Sequence, residues 1–207
     1  MRAEKKTIAL AALCAATVGC ASSPPMHYYT LSSVQAPARL TVPADTVPLR
    51  LDRVTIPGEL DRPEIVRKID PTRIQIAEQE RWAAPLDDMI RRVLSEELAS
   101  QFPPKMVVSP NEPSVGERRQ SIALDIQEFY ADAACAVTLR ASWTIRSPDN
   151  KNNSQGAATV QTPAGGSCSG VGGIPAAMNQ ALSQFADRMA RTIAGGRLDV
   201  NALHETH

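Results

Sequence analysis

The chain reads as an α+β domain, an antiparallel or mixed β-sheet with two long amphipathic helices packed on one face. Three features predict it. Runs of period-two alternation dominate the middle of the chain, and only two long stretches carry the 3–4 apolar spacing of a helix. The strand patterns also follow one another directly, without the strict strand–helix alternation of a doubly wound parallel sheet. No internal repeat occurs in the 207 residues.

The N-terminus stands apart from that domain. Met1-Arg2-Ala3-Glu4-Lys5-Lys6 is a basic n-region, Thr7 to Ala16 is an apolar-and-small run, and small residues lead into a cysteine. This is the order of an export signal with its processing site. A membrane anchor is the competing reading, but Thr7 to Val18 is too short to cross about 30 Å of hydrocarbon. Thr17-Val18-Gly19-Cys20 resembles the bacterial lipobox, which implies that Cys20 carries acyl chains such as palmitate and becomes the first mature residue. The expected organisation is a signal at 1–19, a lipidated tether at 20–26, one domain at 27–196 and a flexible tail at 197–207.

Along the domain, His27 to Leu31 is aromatic and β-branched, a short first strand, and Ala36 to Pro48 is a proline-punctuated loop. Leu49 to Ile56 alternates imperfectly until Pro57-Gly58 stops it. Glu64 to Ile69 and Arg73 to Gln79 form a hairpin about Asp70-Pro71-Thr72, because Pro71 disfavours helical geometry at Asp70. Trp82 and Pro85 introduce a helix whose stripe is Leu86, Met89, Ile90, Val93, Leu94 and Leu98. Asp87 and Asp88 complement the dipole in its first turn, and Pro103-Pro104 ends it.

Lys105 to Ser109 is a short strand, followed by a polar loop through Gln120. Ile122, Leu124 and Ile126 open the clearest strand. After a turn at Asp132-Ala133-Ala134, Cys135, Val137, Leu139, Ala141, Trp143 and Ile145 line one face of the next. Gly156 to Thr162 returns as a further strand after a polar turn. A second helix carries Ala177, Met178, Ala181, Leu182, Phe185, Met189 and Ile193 and ends at Gly195-Gly196. Its alanines allow close approach to the sheet.

Charge and cysteines narrow the function. Twenty-two basic and 22 acidic side chains balance, and removal of residues 1–19 leaves 19 against 21. That balance argues against nucleic acid, which needs a basic face, and the chain shows no polybasic patch for anionic lipid headgroups. Cys14 lies in the signal and Cys20 at its end. Cys135 and Cys168 then remain, an even pair in an exported chain, for which a disulfide is the first reading and two buried thiols the second.

Catalytic patterns are weak throughout, so no enzyme, metal or cofactor is expected. His27 adjoins the tether, and His204 and His207 lie in the tail, where a spacing of three could chelate a metal but no Cys, Asp or Glu cluster accompanies them, so a solvated tail is the reading. The glycine-rich Gly165 to Gly173 fails as a dinucleotide loop because residue 175 is proline. It fails as a hydrolase elbow at Ser167 because residue 169 is serine. Cys168 has no histidine in the folded middle of the chain to activate it. Glu78 and Glu80, two apart on one strand, read as a solvated face, since acid pairs come from different elements across a cleft.

Several motifs, in order, carry a family resemblance. These are Tyr28-Tyr29-Thr30-Leu31 shortly after the lipobox, Ile56-Pro57-Gly58-Glu59-Leu60-Asp61-Arg62-Pro63-Glu64-Ile65-Val66, Arg81-Trp82-Ala83-Ala84-Pro85-Leu86, Leu139-Arg140-Ala141-Ser142-Trp143, and the Ala-rich last helix with Ala177-Met178. Together, over roughly Tyr28 to Ile193, the chain resembles the PqiC-like, or ABC-type transport auxiliary, lipoproteins. That resemblance implies a non-catalytic periplasmic subunit that docks a mammalian-cell-entry (MCE) type lipid transport protein. Ala21, standing where a retention signal would place Asp, implies the outer membrane. The cysteine pair is not part of the family pattern. A homo-oligomer fits such an adaptor.

The segment from Pro57 to Val66 is the candidate partner surface, with Arg62, Glu64 and Arg67 exposed beside Leu60. The competing reading is a shaped turn with Leu60 plugging the core. Alternative functions are a stand-alone lipid or small-ligand carrier, which needs an apolar pocket, and an assembly factor for another outer-membrane machine.

Overall fold

The strongest period-two runs form the centre of the sheet. This computed structural model describes residues 24–34, 40–43, 46–112, 118–149, 153–163 and 171–195. In chain order the elements are β1 (His27–Tyr29), β2 (Leu49–Thr55), β3 (Glu64–Asp70), β4 (Arg73–Trp82) and α1 (Leu86–Gln101). Then come β5 (Val107–Val108), β6 (Gln120–Ala131), β7 (Ala136–Arg146), β8 (Ser154–Pro163) and α2 (Ile174–Gly195). Trp82 closes β4 rather than opening the helix, and Cys135 belongs to the turn before β7.

The sheet is mixed, one of the two arrangements the sequence allows. Neighbours joined by short turns pair antiparallel: β3 with β4, β6 with β7 and β7 with β8. Elements joined by longer connections pair parallel: β1 with β4, β2 with β5 and with β6, and β3 with β6 at Arg67 and Ala131. A hairpin can close only an antiparallel pair, whereas parallel neighbours need a crossover. Since β7 occupies one edge of β6 along its length, β2 and β3 share the other edge end to end.

Alternation decides which face is covered. Val137, Leu139, Ala141, Trp143 and Ile145 are buried on β7, while Arg140 and Arg146 on the alternate positions are exposed. On β6 the inward series Ile122, Leu124, Ile126 would turn Phe129 outward, because side-chain parity flips with every residue. A register shift between Ile126 and Glu128 adds one residue and returns Phe129 and Ala131 to the core side.

The helices cover that side. Helix α1 packs on β2 and β5, α2 packs on β7 and β8, and the two helices touch. Helix α1 has no side-chain cap at Pro85, so Asp87 and Asp88 meet its N-terminal dipole. Ala177, Ala181, Ala186 and Ala190 on α2 are buried, which lets the helix sit close. Trp143 then crosses above Gly156 and meets Phe185 edge-on, with ring centroids 5.5 Å apart. Such edge-to-face pairs are the favoured aromatic geometry. Among the described residues no helix is long and apolar enough to cross a membrane.

Candidate tether and docking site

Cys20 lies outside the described residues, but the place where the chain leaves it is defined. Residues 24–28 are all exposed. His27, Tyr28 and Tyr29 pair in parallel with Glu80, Arg81 and Trp82, at the C-terminal end of β4. His27 Nδ1 lies 3.1 Å from Glu80 Oε1. The Tyr29 hydroxyl and then His27 hold the Glu80 carboxyl below the ordinary carboxylate range.

Beyond β1 the chain is strapped across both helices. The Leu31 side chain is fully buried and its carbonyl accepts from Arg92 Nη2 at 2.6 Å. The Ser32 amide donates to Asn179 Oδ1 at 3.0 Å, and Asn179 Nδ2 donates to Ser32 Oγ at 3.1 Å. The Val34 amide donates to Glu97 Oε1, and the Ser183 hydroxyl donates to Glu97 Oε2 at 3.2 Å. Glu97 is 1 % exposed. Burial pushes its carboxyl above the ordinary value, and these two donors oppose that rise. The strap thus fixes the exit of the tether to α1 and α2.

Sequence reasoning missed this clamp, although one signal was present. Glu97 falls on the apolar stripe of α1, where a charged side chain requires a buried partner. Its partners, on the strap and on α2, are far apart in sequence and carry no local signature.

The Pro57 to Val66 segment divides between the two readings offered for it. Leu60 is 3 % exposed and belongs to the core, so the exposed Leu60 of the docking surface is corrected to a core plug. Arg62 Nε lies 3.1 Å from Glu64 Oε2, and Arg81 Nη2 lies 3.4 Å from Glu64 Oε1. The Arg62 contact, with the Arg81 charge adding to it, holds the Glu64 carboxyl low. Glu59 reaches the outer face of the sheet and accepts the Tyr130 hydroxyl at 2.6 Å. Burial and that bond push the Tyr130 phenol up.

Arg67 is a structural brace. Its Nη2 approaches the carbonyls of Asp132 and Ala133 and lies 3.5 Å from Cys135 Sγ. The turn it grips is tight: the Ala136 amide donates to Asp132 Oδ1 at 2.9 Å, and the Cys135 amide donates to the Asp132 carbonyl at 3.0 Å. Cys135 adopts φ 63°, a left-handed conformation that glycine takes freely and other residues rarely do. Cys168, its expected partner, lies outside the described residues, as do Ser167, His204 and His207.

No group of three or more metal-ligating side chains occurs among the described residues. A groove of about 360 Å³ beside α1 is lined by Asp88, Arg91, Arg92 and Glu96 among others, and one of about 430 Å³ on the outer face by Lys68, Arg73, Glu128 and Arg140. In the second groove Lys68 and Arg140 both pair with Glu128, and Arg73 pairs with Asp70. Glu78 is exposed and Glu80 is engaged with His27, so the two carboxylates do not act as a pair.

Comparison with known proteins aligns with this architecture. The family described as ABC-type transport auxiliary lipoprotein component matches residues 29–190. The intermembrane transport lipoprotein PqiC of Escherichia coli (strain K12) is 28 % identical over 143 residues, 69 % of this chain and 74 % of that protein. The PqiC of Shigella flexneri matches to the same extent. A crystal structure of an uncharacterized protein superposes with a TM-score of 0.66 at 18 % identity, over 82 % of this chain and 99 % of the other. A crystal structure from Xanthomonas campestris gives 0.61 at 18 % identity, over 82 % and 96 %. These two structures share the fold.

Proposed function

This chain belongs to the family of ABC-type transport auxiliary lipoprotein components, and from that premise we propose that it is the docking subunit of an MCE-type intermembrane lipid transport system, held at the periplasmic face of the outer membrane by acyl chains on Cys20. An accessory role in intermembrane transport and a membrane-associated periplasmic location follow from the family and its PqiC relatives. The observation that carries the reading is the extent of the match, from β1 to the last turns of α2.

The geometry supports a docking role over chemistry. The residues that secure the tether are spent on structure, and the described grooves are lined by ion pairs rather than by a convergent catalytic set. A stand-alone lipid carrier would need an enclosed apolar pocket; the outer-face groove is walled by charged side chains, and the groove beside α1, although Ala84, Met89 and Val107 line part of it, is open to solvent along the helix. A bridge between Cys135 and Cys168 is also part of the proposal. A cysteine held at positive φ, where glycine is the ordinary residue, supports a reason to keep the thiol there.

Affinity purification of the anchored protein from crosslinked membranes tests the proposal. An MCE-domain protein is expected to co-purify. Its absence, or recovery of a β-barrel protein in its place, would overturn this reading in favour of an assembly role.

A further inference from the structure

We infer that the β1 edge lies against the bilayer surface, with Met26 and Tyr28 seated in the headgroup layer, so that the domain stands on its membrane in one orientation. The inference rests on the anchoring of Cys20 proposed above and goes beyond it, because a lipidated tether alone would leave every face free to approach the membrane.

Four large apolar side chains are exposed among the described residues, Met26, Tyr28, Val34 and Ile74. Two of them fall in the stretch nearest the lipid attachment point. Met26 is 38 % and Tyr28 65 % exposed. Side chains two apart in extended chain share a face, so Met26 and Tyr28 point one way while His27 and Tyr29 point the other, towards Glu80. Pro24 and Pro25, also exposed, continue the apolar character towards Cys20.

Reach keeps this edge within one short tether of the lipid. The six residues from Cys20 to Met26 span at most about 20 Å when fully extended. The headgroup layer itself occupies roughly 5–8 Å on each side of the hydrocarbon. Nor can Tyr28 swing away from the domain. The Ala83 amide donates to the Tyr29 carbonyl at 2.8 Å, and the strap ties the following residues to α1 and α2.

The chemistry of the edge suits a lipid interface. Tyrosine has an apolar ring and a polar tip and is enriched at that depth. Near this edge Glu64 is matched by Arg62 and Arg81 and Glu80 lies within hydrogen-bond distance of His27, while Glu78, further along β4, is exposed. On the far side of the sheet β8 carries exposed Gln155 and Gln161 and would face away from the membrane.

The test uses the membrane-extracted, full mature protein in vesicles of phosphatidylethanolamine and phosphatidylglycerol whose acyl chains are brominated near the glycerol. Tyr28→Trp and, separately, Gln161→Trp add a fluorophore at each edge of the sheet, above the background of buried Trp82 and Trp143. The Tyr28→Trp emission is expected to fall by about half, as for a ring settled at the interface, and the Gln161→Trp emission to match the value in unbrominated vesicles. Equal quenching of both, or quenching of neither, in protein that partitions into detergent would overturn this inference alone. Protein that stays in the aqueous phase would overturn the anchoring and this inference with it.

Discussion

Gly156 is the position where a single methyl group should do the most damage for its size. It sits directly across from Trp143 in the β7–β8 ladder. A Cβ there would lie 2.4 Å from Trp143 Cζ2 and 2.5 Å from Cε2, against about 3.5–4.0 Å for carbon atoms in contact. The indole would have to retreat by about 1 Å or more. It is buried, and its edge-to-face partner Phe185 is fully enclosed. In an open strand the same change would help by roughly 0.5–1 kcal/mol, because glycine loses more backbone freedom on folding than alanine. Overpacking of a filled core costs about 1–3 kcal/mol, so Gly156→Ala is expected to lower stability by about 1–2 kcal/mol once the two effects are combined. Equilibrium urea unfolding should show a lower midpoint at unchanged slope. Combining it with Trp143→Leu, which removes the ring, should cost at least about 1 kcal/mol less than the sum of the single changes. An unchanged or higher midpoint for Gly156→Ala, or strict additivity in the double variant, would refute the argument.

Three further expectations follow from the site. Burial raises the Glu97 carboxyl above 4.5, so its contribution to stability is complete below the unfolded value and is lost as pH rises through the folded one. Glu97→Gln, which keeps an acceptor for the Val34 amide, should therefore be at least as stable as the wild type at pH 7, with the gap closing near pH 4; a gap that grows on acidification would contradict the sign. Reduction of a Cys135–Cys168 bridge, which closes a loop of roughly 34 residues, should cost about 3–4 kcal/mol. Unfolding curves that coincide with and without reductant would remove the bridge from the account. Leu60→Ala should destabilise by about 2–5 kcal/mol as a core truncation, whereas Arg62→Ala should stay within about 1 kcal/mol, its ion pair being half-exposed. Comparison of melting temperatures decides between them, and loss of partner capture in Arg62→Ala alone would make that arginine a docking residue.

Much of the fold was legible because its signals are local. Hairpin β3–β4 is announced by Asp70-Pro71-Thr72, and its turn is closed by Asp70 Oδ1 accepting the amides of Thr72 and Arg73, both at 2.9 Å. Helix α1 follows its apolar stripe from Leu86 to Leu98 and ends just before Phe102, whose amide still bonds to the Leu98 carbonyl at 3.1 Å. The choice between antiparallel and mixed was not legible. Nothing in β2 states that it pairs with β6 across the intervening hairpin, helix and loop, because backbone pairing is blind to sequence separation. The inward turn of Phe129 likewise depends on a register shift that no residue between Ile126 and Glu128 advertises.

By itself, the sequence determined the α+β class, the order and type of the main elements and the family resemblance, and it offers Cys20 as the expected lipobox cysteine. Each of these is written in contiguous residues, as periodicity, turn chemistry or a short motif. Only the tertiary structure decided the roles of particular side chains. It buried Leu60 instead of presenting it, turned Arg67 into a brace for the Cys135 turn and made Glu97 a clamp on the strap. The brace and the clamp depend on donors and acceptors that are distant in sequence and meet only once the elements have packed together, and a charge buried without such partners would be too costly to keep.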